Sequence, residues 1–232
     1  MLTLKAAAPA PVWVVVVLLV GGALVGALLA RILTSGTYRL DDEQDRPPSR
    51  WSLLVAAAVA ALWGVLAWQL GGLAAGALLP AYLLLAVVGV ALFWIDLDVH
   101  RLPEGLTLPS VAALVVLLTV AAATDGDWGS LGRALACGAG VWVVYIVLAL
   151  ISPGGLGLGD ATLGGLVSLP LGYLGWGAPV VALVGAYVAS GIVALVGLAL
   201  RRLTLKSDIA FGPYILIGAL AAVFVRFQML GG

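Results

Sequence analysis

Eight apolar runs of about twenty residues each, the length that spans a bilayer as a helix, take up most of this 232-residue chain. They lie at residues 11–33, 51–70, 74–95, 106–124, 131–152, 161–176, 178–200 and 209–228. Inside lipid, every backbone N–H and C=O needs a partner from the protein itself, so runs of this length and number predict spanning helices. Composition leaves no soluble alternative: 63% of residues are hydrophobic and 9% charged, against roughly 25% charged in an ordinary soluble domain. The expected fold class is therefore all-α, a polytopic transmembrane helical bundle of about eight spans. The sixth run is the weakest, being short and interrupted by Pro170; seven spans plus a re-entrant segment is the alternative. The first run is about twice as long as a signal-peptide core and has no A-x-A site leading into a polar start, so it reads as a span.

Sidedness follows from the basic residues. With eight spans, Arg31, Arg39, Arg46, Arg50, Arg101, Arg201, Arg202 and Lys206 share one side, and Lys5, Arg133 and Arg226 the other. The first side is expected to be cytoplasmic, with both termini outside. Trp13, Trp51, Trp94, Trp128 and Trp176 fall near span ends, at the depth of the headgroups. The segment 34–50 is the one long polar stretch, and DDEQDRPPSR within it reads as a solvated linker. It divides residues 1–50, a span and its loop, from residues 51–232, the remaining spans. A formal net charge of zero gives no basic patch for nucleic acid. One cysteine, Cys137, and one histidine, His100, exclude an internal disulfide and any Cys- or His-rich metal cluster. No metal or cofactor is expected.

Ionisable residues at membrane depth are costly and mark candidate sites. Asp160 ends the stretch GLGLGD, a glycine run between two apolar segments. It needs a partner. Asp41, Asp42, Glu43 and Asp45 belong to the polar loop, and Asp125 and Asp127 to the turn TDGDWGS. Asp96, Asp98, Glu104, Asp160 and Asp208 are left, all at or near span ends on the expected cytoplasmic side. Asp96 directly follows ALFWI and is the deepest. Residues two apart on a helix point about 200° from each other, so one of Asp96 and Asp98 faces any given site. By depth that is Asp96, leaving Asp98 solvated or paired with Arg101. Pro103 then breaks the helix in an interfacial turn.

Two carboxylates sharing a partly desolvated site hold one ionised and one protonated member near neutral pH. The first can take a proton from water and the second can donate to a peptide carbonyl, the requirements of peptide hydrolysis. Gly157 and Gly159 would let a substrate strand approach the backbone closely. The simpler alternatives are a tight turn in which Asp160 caps a helix, and an interfacial Asp96 bound to a Lys or Arg.

The pattern D-x5-LP-x2-L-x-LP, here Asp96 followed by LPEGLTLP, resembles the first active-site signature of type IV prepilin peptidases. The GLGLGD stretch is similar to the second, the GxGD motif of intramembrane aspartyl proteases, and DIAFGPYILIGAL at Asp208–Leu220 to the C-terminal segment of the same family. Together the three cover roughly residues 51–222 in the family's order. The resemblance implies an intramembrane aspartic endopeptidase with catalytic Asp96 and Asp160, and with Pro103, Gly157, Gly159, Gly212 and Pro213 shaping the site or binding substrate. Its implied partners are prepilin or pseudopilin substrate helices and the lipid bilayer, and its implied location is the bacterial inner membrane. There such enzymes cut a short basic leader at the cytoplasmic face, after a glycine and ahead of an apolar helix. His100 and Arg101 become headgroup or leader contacts, and Lys206 and Asp208 part of the cytoplasmic rim. A homo-oligomer stays open.

Three departures stand out. Glu104 occupies a position where Asp is common, and keeps its charge. Thr162 stands where Lys is common, which removes a cation near Asp160. The Cys-rich region with paired CxxC motifs is missing, its place taken by the loop at 34–50, so peptidase activity is expected without zinc-supported methyl transfer. Two other functions fit the same residues: a non-catalytic relative, or a small transporter or channel using Asp96 and Asp160 as proton or cation sites.

Overall fold

The structure, a computed structural model, describes residues 10–40, 52–69, 78–151, 157–201 and 210–231. These form eight α-helices: α1 (Val12–Thr34), α2 (Ser52–Gln69), α3 (Leu78–Val99), α4 (Glu104–Asp125), α5 (Trp128–Ile151), α6 (Leu158–Leu174), α7 (Gly177–Ala199) and α8 (Gly212–Gly231). Helices α1, α3, α4, α5 and α7 are long and apolar enough to cross a membrane. Leu53–Trp68 of α2 and Gly212–Val225 of α8 are apolar and shorter. The chain is a multi-pass helical membrane protein.

It divides into two compact units, residues 1–128 with 230–232, and residues 129–229. In the first, α1 lies along α2 through small residues. A Cβ on Gly26 would come within 2.8 Å of the Ala56 Cα, and one on Gly22 within 3.0 Å of the Ala60 Cα. Backbones can approach this closely only where side chains are absent, and that closeness supplies the dispersion contact that apolar burial cannot supply in lipid. Trp63 ties α2 to α3 by donating its indole N–H to the Leu83 carbonyl at 3.1 Å. At one end of the unit Ala30, Leu33, Val55, Ile95 and Val99 form a buried cluster, with Tyr38, Trp94 and Leu106 packed against it.

The second unit is built around α6. From Ala161 on, every residue of this helix except Thr162 is buried, as expected of a helix that is apolar all round. Its 17 residues reach about 26 Å at 1.5 Å per residue, short of the ~30 Å hydrocarbon core. The weakness of this run in the sequence has a physical cause: a helix surrounded by protein need not match the bilayer alone. Pro170 is accommodated inside it, and the helix is continuous to Leu174. Against α5, a Cβ on Gly172 would sit 2.6 Å from the Cys137 Cβ, and one on Gly138 2.8 Å from Leu169. Between α7 and α8 the approach is closer still, since a Cβ on Gly218 would strike the Ala182 carbonyl and lie 2.8 Å from the Ala186 nitrogen.

Gly218→Ala is accordingly expected to destabilise the detergent-solubilised protein by about 1–3 kcal/mol, because backbone cannot yield as a side chain does. Gly191 has open space around its Cβ position, so Gly191→Ala should leave the melting temperature unchanged or raised. Equal losses from both substitutions would refute the close-approach account.

Candidate active site

Helix α3 continues past the end of the expected run, through Asp96 and Asp98 to Val99. Both carboxylates are therefore on regular helix, on different faces. Asp96 is 4% exposed, in a stretch where Leu92, Ile95, Val99 and Leu102 are buried as well. The helix closes at His100, whose backbone N–H donates to the Asp96 carbonyl at 2.9 Å. His100 takes a left-handed φ of 54°, the conformation of the common αL helix ending, which Gly adopts most easily and His more readily than most residues. Pro103 then stands at the N-cap of α4, where its missing N–H costs nothing.

Asp98 is neither solvated nor dependent on Arg101 alone for a partner. The Arg39 guanidinium clasps it with Nε to Oδ2 at 2.8 Å and Nη2 to Oδ1 at 2.9 Å, and the Tyr38 hydroxyl donates to Oδ2 at 2.6 Å. The ion pair is largely sequestered, with side chains 6% and 17% exposed. Arg101 donates Nη2 to the Tyr38 carbonyl at 3.2 Å. Burial and the Asp98 carboxylate push the Tyr38 hydroxyl up to about 12. The hydrogen bonds that Arg39 donates to Asp98 likewise raise the guanidinium above its ordinary value. The expected linker thus begins as structure: residues 35–40 dock on the end of α3, and residues 41–50 lie outside the described part.

In the second unit, α6 begins at Leu158, so Gly159 and Asp160 belong to its first turn and are not an irregular loop. Asp160 occupies the third helical position and reaches back, its Oδ2 accepting the Gly157 N–H at 2.9 Å. This is the carboxylate half of a capping box, and the negative charge sits where the helix dipole favours it. Gly157 has φ −87° and ψ 156°, extended backbone open to any residue, and a Cβ there would meet Asp160 Oδ2 at an ordinary 3.4 Å. What the position contributes here is its N–H. Thr162 spends its hydroxyl on the Leu158 carbonyl of its own helix at 3.2 Å.

One turn beyond Asp160, Gly164 lies on the same face of α6. A Cβ there would come within 3.1 Å of the Tyr145 ring. Tyr145 leads into an aromatic group: Phe211 stands 6.3 Å from Tyr145, 5.1 Å from Tyr187 and 6.3 Å from Tyr214, centroid to centroid. Gly212 and Pro213 are buried at the start of α8 directly after Phe211. The sequence carried no signal for Tyr145 or Tyr187, which read as ordinary aromatic residues of a span. Lys206 and Asp208 lie outside the described residues. Among the described residues no three His, Cys, Asp or Glu side chains gather as metal ligands would.

The chain is 36% identical over 153 residues to a prepilin leader peptidase/N-methyltransferase of Aeromonas hydrophila. Over that stretch the chain is similar to a prepilin peptidase. The match takes in 62% of this chain and 48% of that protein, so the chain spans about half the length of the curated relative it matches. No family model matches the chain, and no solved structure does.

Proposed function

We propose that the protein is an intramembrane aspartic endopeptidase that removes the leader of prepilin- or pseudopilin-like substrates at the cytoplasmic face of the bacterial inner membrane. The observation that carries this most directly is the likeness to a prepilin leader peptidase, together with the buried Asp96 near the end of α3 and Asp160 in the first turn of α6. The catalytic pair of this proposal is Asp96, near the end of α3, and Asp160, in the first turn of α6. The ionised member takes a proton from the attacking water while the protonated member donates to the scissile carbonyl oxygen. With Asp98 held by Arg39, Asp96 is the carboxylate of that pair assigned to chemistry. Gly159, Pro103, Gly212 and Pro213 shape the path of the substrate backbone, and Gly157 holds Asp160 through its N–H.

The test is co-expression with a type IV prepilin in a host lacking its own peptidase, following leader removal by gel shift. Loss of the leader supports the proposal, and an intact prepilin across a panel of substrates would end it. A finer expectation concerns the anchor on Asp160. Gly157→Pro has no N–H to donate, and should cleave at least about tenfold more slowly than Gly157→Ala, which keeps the bond, because a displaced catalytic group loses rate steeply. Equal initial rates for the two purified variants would remove the anchor from the mechanism.

A further inference from the structure

We infer that Arg39 and Tyr38 are positioning residues for Asp96, acting through Asp98. This inference rests on the proposed peptidase chemistry and adds to it a device supplied by the segment after α1. The seam between that segment and the end of α3 is closed from both sides. Arg39 holds both oxygens of Asp98, at 2.8 and 2.9 Å, and Tyr38 adds a third bond at 2.6 Å. Arg101, beyond the helix end, returns a bond to the Tyr38 carbonyl. A two-pronged guanidinium–carboxylate pair fixes orientation as well as distance, which a single point contact does not.

The geometry makes this a constraint on Asp96 in particular. Asp96 and Asp98 share the last turn of α3 and point about 200° apart. Gripping Asp98 from its own side sets the rotation of that turn without occupying the face that carries Asp96. The turn needs the support. It ends on a non-glycine residue with φ 54°, and its last hydrogen bond runs from His100 back to the Asp96 carbonyl itself. Val99 and Ile95 pack with Ala30 and Leu33 of α1 in the cluster that Tyr38 borders. Apolar packing restrains this end of α3, and the directional bonds from Arg39 and Tyr38 hold its rotation.

Two readouts separate positioning from mere folding. In the full-length, detergent-solubilised protein, Arg39→Ala should lower kcat for prepilin cleavage about 10- to 100-fold with KM changed less than about twofold, the signature of a misplaced catalytic group. Arg39→Lys should recover part of it, and Tyr38→Phe, which deletes one hydroxyl and leaves the ion pair, should lose about two- to fivefold. Independently of cleavage, Asp96→Cys in a Cys137→Ala background reports the side chain's location by its maleimide alkylation rate. Adding Arg39→Ala should speed that alkylation at least about fivefold, since thiol reactivity follows access. If Arg39→Ala does not fold, Tyr38→Phe carries both measurements. Unchanged alkylation, or faster alkylation with unchanged kcat, overturns the inference. If the wild type cleaves no prepilin, the peptidase proposal fails, and the alkylation rates still decide whether the clasp places residue 96.

Discussion

Asp96→Asn and Asp160→Asn are each expected to slow prepilin cleavage by about a thousandfold or more, at the upper end of what a positioned acid or base contributes. The substitutions are close to isosteric, and at residue 160 the amide oxygen can still accept the Gly157 N–H that now bonds Oδ2 at 2.9 Å. The first turn of α6 should therefore survive, and activity should fall without a matching fall in folded protein. This matters for interpretation, because Asp160 has two roles in the proposal. Its capping role needs only an acceptor oxygen, whereas its chemical role needs a group that can exchange a proton. Asparagine preserves the first and deletes the second. Asp98→Asn should differ: it weakens the grip of Arg39 and leaves a cation in a largely closed seam, so it should cost stability, about 3 kcal/mol for a broken buried pair, as well as rate. Cleavage that persists in both Asp96→Asn and Asp160→Asn would sink the aspartyl mechanism, whatever else the protein does.

Hydrophobic run length was enough to find each helix among the described residues, since lipid allows the chain few alternatives. Helix ends were less legible because they are decided by local bonds. The third run was expected to end at residue 95, yet α3 continues to Val99, since charged residues at the membrane surface can continue a helix that begins in lipid. The sixth was expected to start at residue 161, yet α6 starts at Leu158, where the Asp160 carboxylate itself supplies the N-terminal cap. Depth and cost made Asp96 and Asp160 candidates. The partner of Asp98 could not be found that way, because Arg39 stands 59 residues away in a stretch whose composition reads as solvated linker. Charge type alone gives no pairing over such a distance. The Tyr145–Phe211–Tyr187 group was likewise invisible, because aromatic residues in a span look the same whether they face lipid or one another.

Arg133 is the residue whose cost was visible but whose purpose was not, and Arg133→Ala should be the most destabilising single change in the second unit. A cation inside an apolar run is expensive, and counting it only as a mark of sidedness left that cost unexplained. Its guanidinium covers the end of α6, donating Nε to the Gly172 carbonyl at 2.7 Å and Nη2 to the Tyr173 carbonyl at 2.6 Å, with Ser130 Oγ accepting from Nη2 at 2.8 Å. The last carbonyls of a helix have no partner within it. Continuation is ruled out by Gly175, whose φ of 157° and ψ of 162° suit glycine alone. Placing a cation there answers the negative end of the helix dipole, while Asp160 answers the positive end. The central helix is thus closed at both ends by charge, and each charge is tolerated because the helix needs it. Removing the guanidinium strands two buried carbonyls and their charge-assisted bonds, about 3–5 kcal/mol together. That should lower the melting temperature in detergent by at least about 6 °C for a chain of this size. Arg133→Lys should restore less than half, since one ammonium cannot reproduce a planar fork spanning two acceptors. A melting temperature that Arg133→Ala leaves unmoved would mean that water or lipid headgroups satisfy those carbonyls, and that the end of α6 is open to the membrane surface.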